Sequence, residues 1–195
     1  MQNLIRAVVA LLCLSWAGAV PADELALDDY EAFEGFVDTW WDEDTGRMLL
    51  RVHAFDEPFL YQSSLPRGVG SNDIGLDRGQ LGSTKVVRFL RSGPRVLLVE
   101  DNLQYRATSD NAEERQAIEE SFARSVIWGF TDIDDDRDST IVDATAFFVR
   151  DAHGVAARLE RLGEGKFRVD DARSAIYLPR TRAFPDNTEV EAIVT

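Results

Sequence analysis

The chain has 195 residues, of which 45% are hydrophobic and 29% are charged, and this is enough for one folded domain with a core of its own. Its 35 acidic and 21 basic residues give a net charge of −14. This charge argues against nucleic acid and anionic membrane surfaces as partners, because binding to both depends on cationic side chains.

The first 22 residues have the pattern of a secretory signal. Arg6 supplies the positive start, an apolar run follows, and small residues precede cleavage points after Ala19 and Ala22. The run is too short to span a membrane. The only cysteine, Cys13, lies in this segment, so we expect a mature chain without disulfides or a thiol nucleophile. The predicted location is periplasmic or secreted, with no membrane attachment after cleavage.

Residues 23–195 are predicted to form a single β-rich domain. Apolar alternation and β-branched runs indicate strands at residues 36–41, 47–54, 59–65, 85–91, 95–100, 125–133, 140–149 and 167–170, and an extended run at 188–195. The first two runs flank an acidic turn at 42–46 and predict a hairpin. In the strand at 47–54, Leu50 belongs to one face and Leu49 to the outer face.

Two segments change to a helical period. Residues 111–124 carry apolar residues at Ile118 and Phe122, with Asn111 as the N-cap and Glu114 as its capping-box partner. Residues 154–162 predict a shorter helix that stops at Gly163. The predicted fold class is therefore α+β, with antiparallel sheet, one clear helix and one short helix.

The most unusual segment is a glycine-rich loop at residues 68–82, which contains five glycines. Asn72 and Asp73 are typical of Asx turns, while Asp77 and Arg78 place opposite charges side by side. We interpret it as an ordered loop rather than a tether, in which these four residues have a structural or a binding role. The glycine spacing matches neither a phosphate loop nor a dinucleotide-binding turn.

The glycine-rich loop is also where a family resemblance begins. The matching segments are residues 70–80 (GSNDIGLDRGQ), 86–89 (VVRF), 93–100 (GPRVLLVE), 105–107 (YRA), 120–122 (ESF), 142–145 (VDAT), 150–154 (RDAHG), 173–175 (RSA) and 183–192 (AFPDNTEVEA). They resemble the domain of uncharacterised function that precedes the catalytic domain in bacterial secreted zinc-dependent metalloproteases of metzincin-like type. The resemblance covers nearly all of the mature chain.

This resemblance implies a non-catalytic N-terminal domain that packs on the downstream catalytic domain or shapes its cleft for a peptide or protein substrate. Zinc is then expected only in that catalytic domain, which this sequence lacks, and no cofactor is expected here. It also implies that the chain continues after residue 195. We therefore expect the run at 188–195 to be an unfinished edge strand, or one that pairs with a missing segment.

No metal-ligand motif is found in the sequence. The metzincin motif needs two histidines and a glutamate on one helix, whereas His53 and His153 stand far apart, so no catalytic residue is assigned. The acidic run at 132–138 has acids at several positions of a calcium loop, but Arg137 takes the place of the glycine. A solvated hairpin turn is the better interpretation.

Two weaker functional interpretations remain open. Asp73 and Asp77 could serve as paired acid and base carboxylates of an independent hydrolase. Trp40 and Trp41 are candidate aromatic contacts for a free-standing exported binding or scaffold protein, and only one of them can join the core because adjacent strand residues point to opposite faces.

Overall fold

A computed structural model of the chain describes residues 25–105, 107–136 and 138–195. Its main element is an eight-stranded sheet in which every neighbouring pair is antiparallel. The order across the sheet is β1-β2-β3-β8-β7-β6-β5-β4. The strands are β1 (Glu31–Phe33), β2 (Thr39–Asp42), β3 (Arg47–Val52), β4 (Phe59–Tyr61), β5 (Lys85–Ser92), β6 (Arg95–Glu100), β7 (Ser125–Asp135) and β8 (Thr140–Asp143). The predicted β-rich antiparallel class is confirmed.

The sheet interleaves two parts of the chain. Strands β1 to β4 all come before residue 62, yet they occupy both edges of the sheet, because β3 pairs with β8 and β4 pairs with β5. The predicted β2–β3 hairpin is present, and its turn closes with Gly46 in the left-handed region at φ +69° and donating to the Asp42 carbonyl.

The C-terminal part forms two small ribbons. Strand β9 (Ala175–Ile176) pairs with β12 (Ala192–Ile193), and β10 (Arg182–Phe184) pairs with β11 (Asn187–Glu189). The extended run expected at 188–195 is therefore divided between the two ribbons, and β12 pairs with β9. The prediction of a strand at 167–170 was wrong. These residues form neither strand nor helix, and Asp170 caps the short 3₁₀ turn that follows.

The described part of the chain contains three α-helices: α1 (Ala112–Ser121), α2 (Thr145–Phe148) and α3 (Val155–Arg161). The predicted N-cap of α1 is confirmed, because the Asn111 side chain accepts a hydrogen bond from the Glu113 amide at 2.9 Å. Gly163 follows α3 at φ +78°, in agreement with the predicted stop. None of the helices in the described ranges is long and apolar enough to cross a membrane.

Helix α2 replaces the second half of the strand that the sequence predicted at 140–149. Strand β8 ends at Asp143, whose carboxylate accepts from the Thr145 amide at 2.9 Å. The Thr145 hydroxyl accepts from the Met48 amide at 2.9 Å. These bonds turn the chain over the sheet and place Phe147 in the core at 6% exposure.

The main core lies on one face of the sheet and under α2. Its buried members are Leu50, Val52, Val87, Phe89, Val96, Leu98, Phe130, Val142, Ala144 and Phe147. A smaller cluster of Trp40, Leu49 and Ile141 packs with residues near the start of the described chain. Because Leu49 and Leu50 are adjacent strand residues and point to opposite faces, this second cluster explains why Leu49 is buried on the face expected to be outer.

The β10–β11 hairpin is fastened to the segment between β1 and β2. The Phe36 amide donates to the Phe184 carbonyl at 2.7 Å, and the Thr188 hydroxyl bonds both the amide and the carbonyl of Val37. Gly35 lies so close to this hairpin that a Cβ atom there would stand 2.6 Å from the Phe184 carbonyl oxygen. The glycine is therefore required by the close approach of two backbones.

Candidate functional site

The glycine-rich loop has a firmly bonded base. The Gly79 amide donates to the Leu65 carbonyl at 2.7 Å, and the Leu65 amide donates to the Gln80 carbonyl at 2.9 Å. The Gly82 amide adds a bond to the Ser63 carbonyl at 2.8 Å. These bonds pair the two ends of the loop, which fits the prediction of an ordered loop rather than a tether.

The inner side of the loop is packed against the protein. Leu76 is only 4% exposed, and the Arg158 side chain from α3 donates to the Ile74 carbonyl at 3.2 Å. Gly75 takes φ +65°, and a Cβ atom there would stand 3.4 Å from the Arg158 guanidinium. The loop is thus held by an apolar side chain and by a cation 84 positions further along the chain.

The outer side of the loop carries the residues singled out from the sequence. Asn72 begins a short 3₁₀ turn, Asn72–Ile74. Asp73, Asp77 and Arg78 are exposed, and their side chains make no hydrogen bond or ion pair with any residue that the structure describes. Asp77 and Arg78 therefore form no ion pair with each other, and the described cation that bonds the loop backbone is Arg158.

The segment that leads into α3 supplies the cap of that helix. The Asp151 carboxylate accepts from the Val155 amide at 2.7 Å and from the Ala156 amide at 2.8 Å. A carboxylate on the amides of the first helical turn satisfies unpaired donors and interacts favourably with the helix dipole. Asp151 thereby holds in place the helix from which Arg158 reaches the glycine-rich loop.

Arg150 connects the same segment to the edge of the sheet. It donates to the Tyr61 hydroxyl and to the Phe147 carbonyl, both at 3.0 Å. Its guanidinium lies 4.7 Å from the Phe147 ring centre and 5.6 Å from that of Trp128. Burial raises the pKa of Tyr61, and the nearby positive charge of Arg150 opposes that rise. The sequence assigned no role to Arg150, because Tyr61 and Trp128 lie in strands far from it along the chain.

His153 lies where the same segment meets the base of the loop. Its Nδ1 atom is buried and has no hydrogen-bond partner among the described residues. A Cβ atom on Gly82 would stand 3.5 Å from that nitrogen and would clash with the Ser63 hydroxyl. Ser63 and His153 have the residue types of a nucleophile and its base, but no hydrogen bond joins them. Both side chains lie close to the Gly82 backbone, which leaves no room for a Cβ atom there.

The two tryptophans occupy opposite faces of β2, as their adjacency predicts. Trp40 is buried at 7% exposure in the smaller core cluster, and the Arg51 guanidinium lies 4.7 Å from its ring centre. Trp41 is half-buried, with Gly46 of the hairpin turn close to its ring. Trp40 therefore serves the core, and Trp41 keeps only part of its ring accessible.

Metal-ligating residues do not gather within the described ranges, where no group of three or more His, Asp or Glu side chains could hold an ion. His53 is exposed just after β3. Of the acidic run, residues 132–135 end β7, and residues 136 and 138 lie between β7 and β8, which pair as the hairpin interpretation predicted.

Comparison with known protein families identifies part of the chain. The model of a family described as a domain of unknown function (DUF5117) matches residues 79–195. No curated protein and no solved structure matches the chain. The matched region begins inside the glycine-rich loop and contains α3 with its Asp151 cap, whereas strands β1 to β4 precede it.

Proposed function

The chain belongs to the DUF5117 family of domains of unknown function, and from that premise we propose that it is a non-catalytic docking domain. In this proposal the outer face of the glycine-rich loop, formed by Val69, Asp73, Asp77, Arg78 and Leu81, packs on a second protein domain. The partner is the catalytic domain of a secreted zinc metalloprotease, in accordance with the sequence resemblance. Zinc belongs to that partner.

The observation that carries the proposal is the contrast between the two sides of the loop. The inner side is fixed by backbone hydrogen bonds, Leu76 and Arg158. On the outer side, Val69 is 44% exposed and Leu81 is 63% exposed. A rigid loop with unpartnered charged and apolar side chains on its outside has the properties of a pre-formed recognition surface.

Rigidity favours binding because the loop loses little conformational entropy when a partner docks. The exposed apolar side chains contribute burial, while Asp73, Asp77 and Arg78 contribute orientation and choice of partner. Since two of these three charges are acidic, we expect the partner's surface to present at least one Arg or Lys against the loop. Binding should then weaken as the salt concentration rises.

The test is a titration of residues 23–195 with a zinc-loaded metalloprotease domain taken from a protein in which a domain of this family precedes it. We expect saturable binding by isothermal titration calorimetry. Asp77→Lys should weaken the association about tenfold, because it removes an attraction and adds a repulsion of about 1 kcal/mol or more. The control is Asp44→Lys, a matched charge change in the exposed β2–β3 turn.

Three results would count against this proposal. If the parent chain does not bind, the proposed partner is wrong. If Asp77→Lys and Asp44→Lys have equal effects, the loop is not the docking surface. Binding of other exported proteins with the same loop dependence would favour a free-standing binding protein. Peptide hydrolysis by the chain alone, abolished in Asp73→Asn, would favour an independent hydrolase.

Export is part of the same proposal. The signal-like residues 1–22 lie outside the described ranges, and their pattern of charge, apolar run and small residues supports cleavage after Ala19 or Ala22. Expression in a Gram-negative host, followed by mass spectrometry of the mature N-terminus, tests this. Detection of an exported product that still carries Met1 would contradict it.

A further inference from the structure

A groove of about 530 Å³ lies between β5, the loop after β6 and helix α1. Its volume falls within the range of ~300–1,000 Å³ that is typical of small-ligand sites. The charged lining residues that the structure describes are three arginines and two acids: Arg88, Arg115, Arg124, Asp101 and Glu119. Among these described lining residues the arginines outnumber the acids, in contrast to the net charge of −14 for the whole chain.

The first of these arginines is part of the wall. Arg88 donates through Nε to the Asp101 carboxylate at 2.7 Å and through Nη1 to the Asp56 carbonyl at 2.6 Å. The hydrogen bond with Asp101 raises the pKa of Arg88. The charges of Arg88 and Asp101 therefore compensate each other, and the pair stabilises the wall of the groove.

The other two arginines are not compensated in this way. Arg115 donates to the Ser109 carbonyl at 2.9 Å and forms no ion pair with a described residue. Arg124 forms neither a hydrogen bond nor an ion pair with any residue in the described ranges. Most of the donor capacity of two guanidinium groups is therefore available to a ligand.

The apolar part of the lining is built around two stacked rings. Tyr105 and Phe122 lie parallel, with ring centres 4.0 Å apart and planes 6° from each other. The Asn102 side chain accepts from the Tyr105 amide at 3.3 Å and fixes the turn that presents the ring. Tyr105 nevertheless remains 46% exposed, and Leu103 beside it is exposed to the same extent.

We propose that this groove binds the free carboxylate of an apolar or aromatic residue. The guanidinium groups of Arg115 and Arg124 hold the carboxylate, and the ligand's side chain packs on the Tyr105–Phe122 stack. A carboxylate next to an apolar side chain matches guanidinium groups that lie beside an aromatic stack, and Arg recognises carboxylates through paired hydrogen bonds. None of the lining residues belongs to the glycine-rich loop, so the site is independent of the proposed docking surface.

Such a carboxylate can come from a free amino-acid derivative or from the C-terminal residue of a peptide. The purified chain is titrated at low salt with three probes: N-acetylphenylalanine, a short peptide that ends in phenylalanine, and the same peptide with an amidated C-terminus. We expect saturable binding of the free-acid peptide and at least tenfold weaker binding of the amide. Comparable binding of N-acetylphenylalanine identifies the terminal residue as sufficient, and much weaker binding assigns the site to peptide ends.

Variants separate the arginines from a general effect of charge. Arg124→Gln should weaken binding about tenfold or more, because hydrogen bonds to a charged group are lost. Arg161→Gln is the matched control, since Arg161 is exposed on α3 and lies outside the groove. Circular dichroism confirms that both variants keep the fold. Equal binding of the acid and the amide, full binding by Arg124→Gln, or no saturable binding at low millimolar concentration overturns the proposal.

Discussion

The order of the glycine-rich loop predicts a large effect of replacing Gly75. This residue takes φ +65°, where a β-branched side chain is strained by about 1–3 kcal/mol. A Cβ atom there would also stand 3.4 Å from the Arg158 guanidinium, so we expect the larger valine side chain to push this flexible side chain away from the Ile74 carbonyl. Loss of that hydrogen bond adds about 1 kcal/mol. We therefore expect Gly75→Val to lower the free energy of unfolding by about 3 kcal/mol.

Urea and thermal denaturation followed by circular dichroism measure this effect. For a domain of this size, about 3 kcal/mol corresponds to a fall in Tm of roughly 6–12 °C. Gly75→Asn should lose about 1 kcal/mol less than Gly75→Val, because asparagine tolerates the left-handed conformation. Ser83→Val is the matched control, since it adds the same side chain at an exposed position with ordinary φ. A change below about 0.5 kcal/mol in Gly75→Val, the range of ordinary surface substitutions, would refute the reasoning.

Two further predictions concern other parts of the molecule. Gly35→Ala places a methyl group 2.6 Å from the Phe184 carbonyl oxygen; it should cost about 1–3 kcal/mol and speed amide exchange at Phe36, as hydrogen-exchange mass spectrometry can show. The Thr45 side chain forms a hydrogen bond with the Asp42 carboxylate, and this bond lowers the pKa of Asp42 below the ordinary aspartate value of 3.8. The ionised Asp42 carboxylate therefore stabilises the fold at pH values above its unfolded-state pKa, and this stability is lost as the pH falls through its folded-state pKa. In urea titrations from neutral pH to pH values below 3.8, Asp42→Asn should lose less stability on acidification than the parent chain. An equal loss in both chains would contradict the assignment.

Local features of the fold could be predicted from the sequence because they depend on neighbouring residues. The alternation of apolar residues predicted strand β3. The Asn111 side chain caps an amide only two positions away. The β2–β3 turn requires a glycine because φ there is +69°. The positive φ of Gly75 also agrees with the interpretation of the loop as ordered. In each case the hydrogen bond or steric limit lies within a few residues, so the pattern is visible without knowledge of the fold.

The failures of prediction have the opposite cause. Thr145, Phe147 and Phe148 are β-prone residues, but a helix begins here, where Thr145 accepts a hydrogen bond from the Met48 amide, 97 positions away. Propensity is a weak preference, and a tertiary contact of this kind overrides it. The run at 188–195 is divided for a similar reason, since β11 and β12 pair with different strands.

For the candidate site, the sequence by itself identified the loop and its charged residues, but the tertiary structure decided which side of the loop is free. Arg158 reaches Ile74 across 84 positions, and Arg150 reaches Tyr61 across 89. Neither arginine differs in local pattern from an ordinary surface cation. The same holds for Arg115 and Arg124, which share a groove only because β5, the loop after β6 and α1 pack together. Sequence patterns report which groups are present, whereas the pairing of distant strands determines which groups meet and which remain unpaired.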